Sequence, residues 1–519
     1  MIKSFSPLQR GLKVLFLSSD TGGGHRASAE SLAKQFQLQY PGSTYELLDV
    51  MKEDGIYPYN TLVDAYKHLS AHPKQWQIVY GISNTRAYEM LADAHLKIMC
   101  ERAMRRRIKS YNPDVVVSVH PLMTNVPVTS CRKISEETGK YLPMFTVVTD
   151  LGSAHCLWFA NGVDRMFIAS DQIRALAKSR GKVPDEKLIQ SGLPIRHDFA
   201  VQADKLGDRL SEQGKNYQKS IRQKLSLKSG MKTILVMGGG EGVGSLSDIV
   251  NALYCEFYQK GLDAQLIVVC GRNEVLREDL EHRNWDEVVR KHKMGQDTLQ
   301  CFFQLGPAVG THGCLENSVA SQLKRIISSP QPLEHFTPVD IPAPSGEPSG
   351  SDDSSDEKCS ERGIIGVKSN TVEARVGKVN VIGLGFVNNM AEYMVAADIL
   401  ITKAGPGTIA EAASVGLPVM LTSYLPGQEE GNVDFVVENK FGAFISDSDP
   451  FGVAEEVCRW ATNESELKLM SIAASHVGAP NAAAEIVKMI GERTFHWKGL
   501  NEQKPPEIKR KRSTTRNLK

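Results

Sequence analysis

The stretch KTILVMGGG at residues 232–240 joins a β-branched apolar run to three consecutive glycines. A continuous apolar run of this length is typical of a strand that is buried on both faces of a parallel sheet. A helical pattern opens near Ser245, so the glycines lie at a strand–loop–helix junction, where backbone N–H groups and the helix dipole bind anions. The same order occurs near the start of the chain, with VLFLS at 14–18 and GGGH at 22–25. The repetition predicts two α/β units of one kind.

Around each junction the chain alternates short apolar runs with amphipathic segments, a pattern that predicts doubly wound parallel sheets. In the first half, strands are expected at 13–19, 44–50, 114–120, 144–150 and 164–170. In the second half, strands are expected at 232–240, 264–271, 379–386, 397–405 and 417–424. We therefore predict an α/β protein with two Rossmann-like domains that face each other across a cleft.

The composition of the segments between these runs suggests the domain boundaries. We predict an N-terminal domain at 1–200, a charged, helical connector at 201–228 and a C-terminal domain at 229–490. Pro, Ser, Gly and acidic residues dominate 328–363, which predicts a disordered insertion in the second domain. The basic segment 491–519 is predicted to be a C-terminal tail.

The overall composition excludes several classes of protein. The 519 residues include 61 basic and 60 acidic side chains, a balance that argues against a nucleic-acid partner. No apolar run is long enough to span a membrane, and the first strand begins too early for an evident signal or transit peptide. The nine cysteines form no CxxC pair, so we expect reduced thiols and an intracellular protein.

A second glycine turn follows a later strand, in TKAGPGTIAEAASVGLP at 402–418. After the turn at 405–407, Thr408 is expected to cap a helix whose first turn contains Glu411. A capped helix alone would explain these two residues but not the glycines, so we predict a diphosphate site with Glu411 at the ribose. The loop LPGQEEGN at 425–432 follows the next strand and offers the amides and carboxylates that bind sugar hydroxyls.

The segments GGGH, HPLM, GLPIR, GGGEG, KAGPGT and PGQEEGN, in this order, resemble those of the monogalactosyldiacylglycerol synthases of plastids. These enzymes belong to glycosyltransferase family 28 and have the two-domain GT-B fold. The resemblance covers most of residues 11–490 outside the insertion, and it implies an inverting transfer of galactose from UDP-galactose to the sn-3 hydroxyl of 1,2-diacylglycerol. The alternatives are a UDP-glucose:diacylglycerol glucosyltransferase and a catalytically silent UDP-sugar-binding protein of the same fold.

The resemblance also implies the contacts of the donor, UDP-galactose, which the second domain should hold. Arg196 is expected near the donor phosphates, and together with the helix dipole it would make a metal unnecessary; no other cofactor is expected. The remaining donor residues are Gly240, Glu241, Gly242, Gly405, Pro406, Gly407 and Thr408 at the diphosphate, Phe386 and Val387 at the uracil, Glu411 at the ribose, and Gln428, Glu429, Gly431 and Asn432 at the galactose.

A lipid hydroxyl is a poor nucleophile and needs a base whose pKa lies near the ambient pH. His25 follows the glycines at 22–24, which we expect to form a flexible turn that carries this histidine into the cleft. The family position makes His25 the leading candidate for the base. Asp150 and His120 are rivals, because both follow predicted strands at the edge where open sheets place their sites.

The first domain should receive diacylglycerol at a membrane surface, since the related enzymes are monotopic and respond to anionic lipid. The residues predicted to face the acceptor or the membrane are Gly24, Trp76, Tyr80, Arg105, Arg106 and Trp158. The segment SAHCLWFAN at 153–161 departs from the TCHPTWFH-like form of the plant enzymes, although it keeps Trp158. The resemblance further implies peripheral attachment to the plastid (chloroplast) envelope and is compatible with a homodimer.

Overall fold

The structure, a computed structural model, describes residues 11–503 with the exception of 20–22, 50–51, 54–56, 58, 71, 239–245 and 305–374. These residues form two parallel six-stranded sheets, each covered by helices. The predicted pair of doubly wound α/β domains is thereby confirmed. The predicted insertion at 328–363 and the donor residues Gly240, Glu241 and Gly242 lie outside the described residues.

The first sheet has the strand order β2-β1-β3-β4-β5-β6. Its strands are β1 (Lys13–Leu17), β2 (Thr44–Leu48), β3 (Val115–Ser118), β4 (Met144–Val147), β5 (Arg165–Ile168) and β6 (Leu188–Gln190). The apolar runs fill both faces, because β3 and β4 are buried along their whole length. The strand β6 was not predicted, since three residues carry no readable pattern.

The second sheet has the order β12-β11-β10-β7-β8-β9. Its strands are β7 (Lys232–Met237), β8 (Ala264–Val269), β9 (Val379–Leu384), β10 (Ile399–Thr402), β11 (Val419–Leu421) and β12 (Gly442–Phe444). All neighbouring strands pair in parallel. The short strand β12 is again one that the sequence pattern does not predict.

Helices connect the strands of both sheets. In the first domain they are α1 (Gly23–Gln39), α2 (Leu62–Ser70), α3 (Pro73–Ser83), α4 (Arg86–Tyr111), α5 (Asn125–Thr138) and α6 (Asp171–Ser179). The connector contains α7 (His197–Leu206) and α8 (Glu212–Lys224). The second domain contains α9 (Leu246–Gln259), α10 (Glu274–His282), α11 (Trp285–Gln304), α12 (Met390–Ala396), α13 (Pro406–Ser414), α14 (Glu430–Glu438), α15 (Pro450–Thr462) and α16 (Glu464–Val477). Helix α17 (Ala482–Gln503) ends the described chain.

The connector packs against the second domain through buried arginines. Arg209 donates hydrogen bonds to the carbonyl oxygens of Met394, Ala397 and Val415 at 2.7–2.8 Å. Such bonds satisfy the carbonyls that a helix end or a loop leaves unpaired. These bonds fix the connector, which consists of helices α7 and α8 and the turn between them, to the second domain.

Helix α17 returns to the first domain. Its residues Ile486 and Ile490 are buried in one apolar cluster with Phe36, and the hydroxyl of Tyr40 donates to the carbonyl oxygen of Lys488. The predicted boundary at 490 thus falls inside a helix, and residues 491–503 are part of this helix rather than of a tail. The apolar face of α17, which covers the first sheet, is the physical reason for the difference.

None of the helices in the described part of the chain is long and apolar enough to cross a bilayer.

Candidate active site between the two domains

The carboxyl ends of three adjacent strands of the first domain meet at one edge of the sheet. Leu17 of β1 pairs with Ser118 of β3, which in turn pairs with Thr146 of β4. The segments that follow these strands contain His25, His120 and Asp150, so the register brings them together. This edge is where open α/β sheets bind ligands.

His25 lies in the first turn of α1, because this helix already begins at Gly23. The expected flexible turn is therefore helical at its last two glycines. The buried imidazole places Nδ1 2.7 Å from the hydroxyl of Thr149, and burial lowers the pKa of His25 to about 4, partly offset by a hydrogen bond to the backbone of Val119. A Cβ added at Gly24 would meet nothing within 4 Å, so the surface next to His25 is open.

His120 lies beside His25, with 4.7 Å between the ring centroids and the ring planes nearly perpendicular. Its Nδ1 accepts a hydrogen bond from the backbone N–H of Leu122 and so caps the short 3-10 helix Pro121–Met123. Burial, reinforced by the neighbouring His25 and His155, holds the pKa of His120 well below its ordinary value. The capping contact gives His120 a structural role at this edge.

Asp150 and Trp158 form a buried pair next to these histidines. The indole N–H of Trp158 donates to Oδ2 of Asp150 at 2.7 Å, and the indole ring lies 6.0 Å from the ring of His25. Burial raises the pKa of Asp150 to about 7; the Trp158 hydrogen bond opposes this shift, whereas Glu429 of the second domain reinforces it. Trp158 was predicted to face the acceptor or the membrane, but it is fully buried and holds Asp150, so it does not meet a membrane surface.

The loop at 425–432, which we call the donor loop, meets this edge from the second domain. Its Glu429 is buried and accepts hydrogen bonds from Nζ of Lys403 at 2.7 Å and from the backbone N–H of Leu425 at 2.9 Å. The carbonyl oxygen of Gln428 accepts from the hydroxyl of Ser153 at 2.7 Å. The donor loop thus lies against the segment that contains Asp150 and Ser153.

The end of the donor loop joins the two domains. The side chain of Asn432 is 1% exposed; it accepts from the backbone N–H of Gly152 and donates to the carbonyl oxygen of Ala404. A Cβ on Gly152 would lie 1.6 Å from the carbonyl oxygen of Gly431, so only glycine fits there. The Asn432 amide and Gly431 are engaged in this domain contact. Their role at the galactose stays a prediction.

Helix α13 begins directly after β10 and presents its N-terminus to the same cleft. Gly405 occupies the cap position and Pro406 the first helical position. Thr408 therefore does not cap the helix, and Glu411 lies in the second turn, which corrects two predictions. A Cβ at Gly407 would meet nothing within 4 Å, so the backbone here is open to an approaching group.

Glu411 is paired with Arg196 across the domains. Nε and one terminal nitrogen of Arg196 donate to the two oxygens of Glu411 at 2.7 and 2.8 Å. Burial raises the pKa of Glu411, and the adjacent guanidinium opposes this shift. The two residues were predicted to bind different parts of the donor, the phosphates and the ribose, whereas the structure unites them in one bidentate ion pair.

The remaining donor residues lie at the end of β9. The ring of Phe386 is 74% exposed, and Val387 is partly buried against an apolar cluster that includes Leu235 and Ile267. An exposed ring beside a strand end leaves the local backbone accessible, as a contact to uracil requires. The role at the uracil stays a prediction.

The aromatic residues predicted to meet lipid face the protein. Trp76 and Tyr80 are buried on the inner side of α3. The outer side exposes Ile78, Val79 and Ile82, and helix α4 exposes further apolar side chains, namely Tyr88, Met90, Leu91, Ile98 and Met99. We call these eight exposed residues the apolar surface. On α3 and α4, the apolar side chains that face solvent are these eight and not Trp76 and Tyr80.

The predicted basic cluster is only partly available to a lipid. Arg105 pairs with Glu101 and Glu137, which neutralise its charge. Arg106 is exposed on α4. The two arginines therefore differ, although the sequence pattern treats them alike.

Sequence reasoning missed Lys403, Tyr66, Thr149 and Gly152. The sequence could have indicated Lys403, because it directly follows a strand and lies two positions before the turn at 405–407. Tyr66 lies in a segment without a motif, and only the packing of α2 against the donor loop brings it to the site. Among the described residues no group of three or more His, Cys, Asp or Glu side chains could hold a metal ion.

Comparison with known proteins finds relatives of both halves of the chain. A family model described as "Monogalactosyldiacylglycerol (MGDG) synthase" matches residues 25–195, and one described as "Glycosyltransferase family 28 C-terminal domain" matches residues 360–486. Among solved structures, MurG of Acinetobacter baumannii aligns with a TM-score of 0.47 and 13% identity, covering 93% of this chain and 99% of that chain.

Curated relatives cover nearly the whole chain. The "Probable monogalactosyldiacylglycerol synthase 2, chloroplastic" of Oryza sativa subsp. indica is 31% identical over 484 residues, which span 92% of this chain and 80% of the relative. The "Monogalactosyldiacylglycerol synthase 2, chloroplastic" of Arabidopsis thaliana is 28% identical over 96% of this chain and 83% of the relative. The chain belongs to the monogalactosyldiacylglycerol synthase family of glycosyltransferases.

Proposed function

We propose that the protein transfers galactose from UDP-galactose to the sn-3 hydroxyl of 1,2-diacylglycerol with inversion at the anomeric carbon. The observation that carries the proposal is the contact between the donor loop and the segment that follows β4: the carbonyl oxygen of Gln428 accepts a hydrogen bond from Ser153, and the charge of Glu429 raises the pKa of Asp150. The names of the relatives favour galactose as the sugar and diacylglycerol as the acceptor.

The donor diphosphate would lie at the N-terminus of α13. The backbone N–H groups after Gly405, the helix dipole and the cationic side chains of Arg196 and Lys403 favour a negative charge there. Both side chains are 43% exposed, so they remain accessible although each has a carboxylate partner. These groups would stabilise the departing UDP, and we propose no metal or other cofactor.

The reaction is a single displacement. The acceptor oxygen forms a bond to the anomeric carbon while the bond from that carbon to the phosphate oxygen breaks, and its electron pair leaves with UDP. We assign the hydroxyl proton to His25, whose imidazole is neutral at pH 7 because its pKa is lowered to about 4. Its position beside the open surface at Gly24 supports this role, whereas a pKa near the ambient pH is found at Asp150, the rival base. In its ionised form Asp150 stabilises the positive charge that develops on the sugar ring in the transition state.

The acceptor would reach the cleft from a membrane surface that the apolar surface of α3 and α4 contacts. Exposed apolar side chains on two successive helices are typical of a lipid or protein contact. Arg106 is available for anionic headgroups, as expected for a peripheral protein. The names of the relatives favour the chloroplast, and we propose the plastid envelope as the site of attachment; a homodimer stays a prediction.

A lipid glycosylation assay tests the function. The purified protein is incubated with diacylglycerol vesicles and radiolabelled UDP-galactose or UDP-glucose, and the lipids are separated. We expect label in a monohexosyl lipid from UDP-galactose at a rate that exceeds the rate from UDP-glucose. Label from UDP-glucose alone would establish the glucosyltransferase alternative, and no label from either donor would establish a catalytically silent protein.

A further inference from the structure

Three aromatic side chains of the first domain hold the donor loop of the second. The indole N–H of Trp76 donates to the carbonyl oxygen of Pro426 at 3.1 Å. The hydroxyl of Tyr66 lies beside the polar side chain of Gln428, which lowers its pKa against the effect of burial. The ring of Tyr80 packs on Gly427, where an added Cβ would lie 2.6 Å from a ring carbon. We call Tyr66, Trp76 and Tyr80 the aromatic clamp.

The members of the clamp support one another. The rings of Tyr66 and Trp76 meet edge to face at 5.2 Å, and those of Trp76 and Tyr80 lie 5.7 Å apart. Such aromatic pairs add stability beyond the burial of their area. The clamp is therefore a packed unit of α2 and α3 rather than three separate contacts.

The donor loop depends on these contacts for its shape. Gly427 has a φ of +76°, a conformation that favours glycine, and residues 425–429 precede α14 without a helix or strand of their own. The side chains expected at galactose, Gln428 and Glu429, directly follow the two residues that the clamp holds. The backbone of the loop is thus fixed from the opposite domain.

We propose that Tyr66 and Trp76 are positioning residues for the hexose of the nucleotide sugar, because they hold Gln428 and Glu429 in place before the donor binds. The hexose identity rests on the proposed function. Without the clamp, the loop would have to be ordered on binding, and this entropic cost would weaken the affinity for the sugar-bearing donor. UDP alone would be unaffected, since its expected contacts lie at α13 and β9 rather than on the donor loop.

Isothermal titration in the absence of lipid tests the proposal. The titrants are UDP-galactose and UDP, and the variants are Trp76→Phe, Tyr66→Phe and the matched control Trp497→Phe. The indole N–H of Trp497 has no hydrogen-bond partner among the described residues, so the control removes an equivalent group that holds nothing. Tyr66→Phe removes only a hydroxyl, so it carries the test if Trp76→Phe fails to fold by circular dichroism.

We expect the Kd of UDP-galactose to rise about fivefold in each clamp variant, the effect of losing one polar contact to the donor loop. The Kd of UDP should stay within about twofold of the wild-type value, and the control should change neither Kd. In the transfer assay, the KM for UDP-galactose should rise while kcat at saturating donor is retained. An equal loss for UDP and UDP-galactose, or unchanged donor binding in both clamp variants, would overturn the proposal.

The binding experiment separates this inference from the proposed function. If the protein transfers no galactose but the clamp variants still weaken the binding of UDP-galactose, the function fails and the inference stands. If the wild type binds UDP-galactose no more tightly than UDP, the titration is repeated with UDP-glucose. Equal binding of all three nucleotides would mean that the hexose adds nothing to the affinity, and it would refute the proposed positioning role of the clamp.

Discussion

At the residue scale, burial sets the protonation states of the two side chains to which we assign the chemistry. The pKa of Asp150 is raised to about 7, whereas that of His25 is lowered to about 4. Both shifts have desolvation as their largest cause, because burial disfavours the charged form of either group. Near neutral pH the histidine is therefore a proton acceptor and the carboxyl group is half ionised.

Asp150 should impose the acid limb of the pH profile. Since its raised pKa is about 7, the ionised form is lost as the pH falls below that value, and kcat/KM should fall about tenfold per pH unit. The profile is measured between pH 5.5 and about 8.5 with buffers of constant ionic strength. Asp150→Asn should lower kcat by about 100-fold and leave residual activity without this limb. A limb near pH 7 that persists in Asp150→Asn would contradict the assignment.

His25→Ala should lower kcat by about 100-fold or more, because it removes the group that accepts the hydroxyl proton. The KM for UDP-galactose should change little, since the hydrogen-bond and ring contacts of His25 among the described residues go to Thr149, His120 and Trp158. Initial rates with labelled donor measure both constants. His282→Ala serves as the control, because His282 is exposed on α10 and bonds only within its own helix. Near-normal turnover in His25→Ala would exclude this histidine as the base.

The residues that carry a backbone signature were predictable, and those that act through packing were not. The turn at 405–407 combines a strand end with glycine and proline, so its place at a helix N-terminus followed from the sequence. The pairing of Arg196 with Glu411 did not, because the two residues are more than 200 positions apart and lie in different domains. No local pattern encodes such a contact.

At the element scale, α3 has two apolar faces with different tasks. Trp76 and Tyr80 are spaced by four positions and share the face that packs on the donor loop, whereas Ile78 and Ile82 share the opposite face. In the sequence, these aromatic residues together with the basic cluster on α4 and the family resemblance suggested a lipid contact. The pattern does indicate two apolar faces, but which face meets the protein depends on tertiary packing.

The apolar surface of α3 and α4 should determine membrane attachment. In the triple variant Ile78→Ser, Ile82→Ser and Leu91→Ser, the replaced side chains are 65%, 59% and 72% exposed, so the fold should be retained. Each aliphatic side chain contributes about 1.5–3 kcal/mol when fully buried, so partial burial in lipid should make the triple variant bind at least about tenfold more weakly. Cosedimentation with vesicles of diacylglycerol and anionic phospholipid measures the effect.

Leu469→Ser is the matched control, since Leu469 is 67% exposed on α16 of the second domain. It should leave vesicle binding unchanged. Equal binding by the triple variant and the wild type would mean that α3 and α4 do not contact the membrane.

At the scale of the whole molecule, the domains meet through backbone as well as side chains. Gly152 and Gly431 approach so closely that neither tolerates a Cβ, and Asn432 bridges the same contact. The two Rossmann-like domains and their order were predictable because the strand pattern repeats. The return of α17 to the first domain was not, since its apolar face carries no signal that distinguishes one sheet from the other.

Gly152→Ala should force the domains apart, because the added Cβ would overlap the carbonyl oxygen of Gly431. We expect kcat/KM to fall at least about tenfold, since displacements of about 1 Å at a site have effects of this size or larger. Small-angle scattering should show a larger radius of gyration. Gly230→Ala is the control, as a Cβ there meets nothing within 4 Å. Wild-type activity and dimensions in Gly152→Ala would show that this contact is dispensable.

The anomeric configuration of the lipid product tests the proposed inverting transfer, because a single displacement must invert the anomeric carbon of the α-linked donor. The purified protein is incubated with UDP-galactose and 1,2-diacylglycerol, and the isolated lipid is analysed by proton NMR. We expect a β-galactosyl group on the sn-3 oxygen. An α-galactosyl lipid, or the absence of any galactolipid, would contradict it.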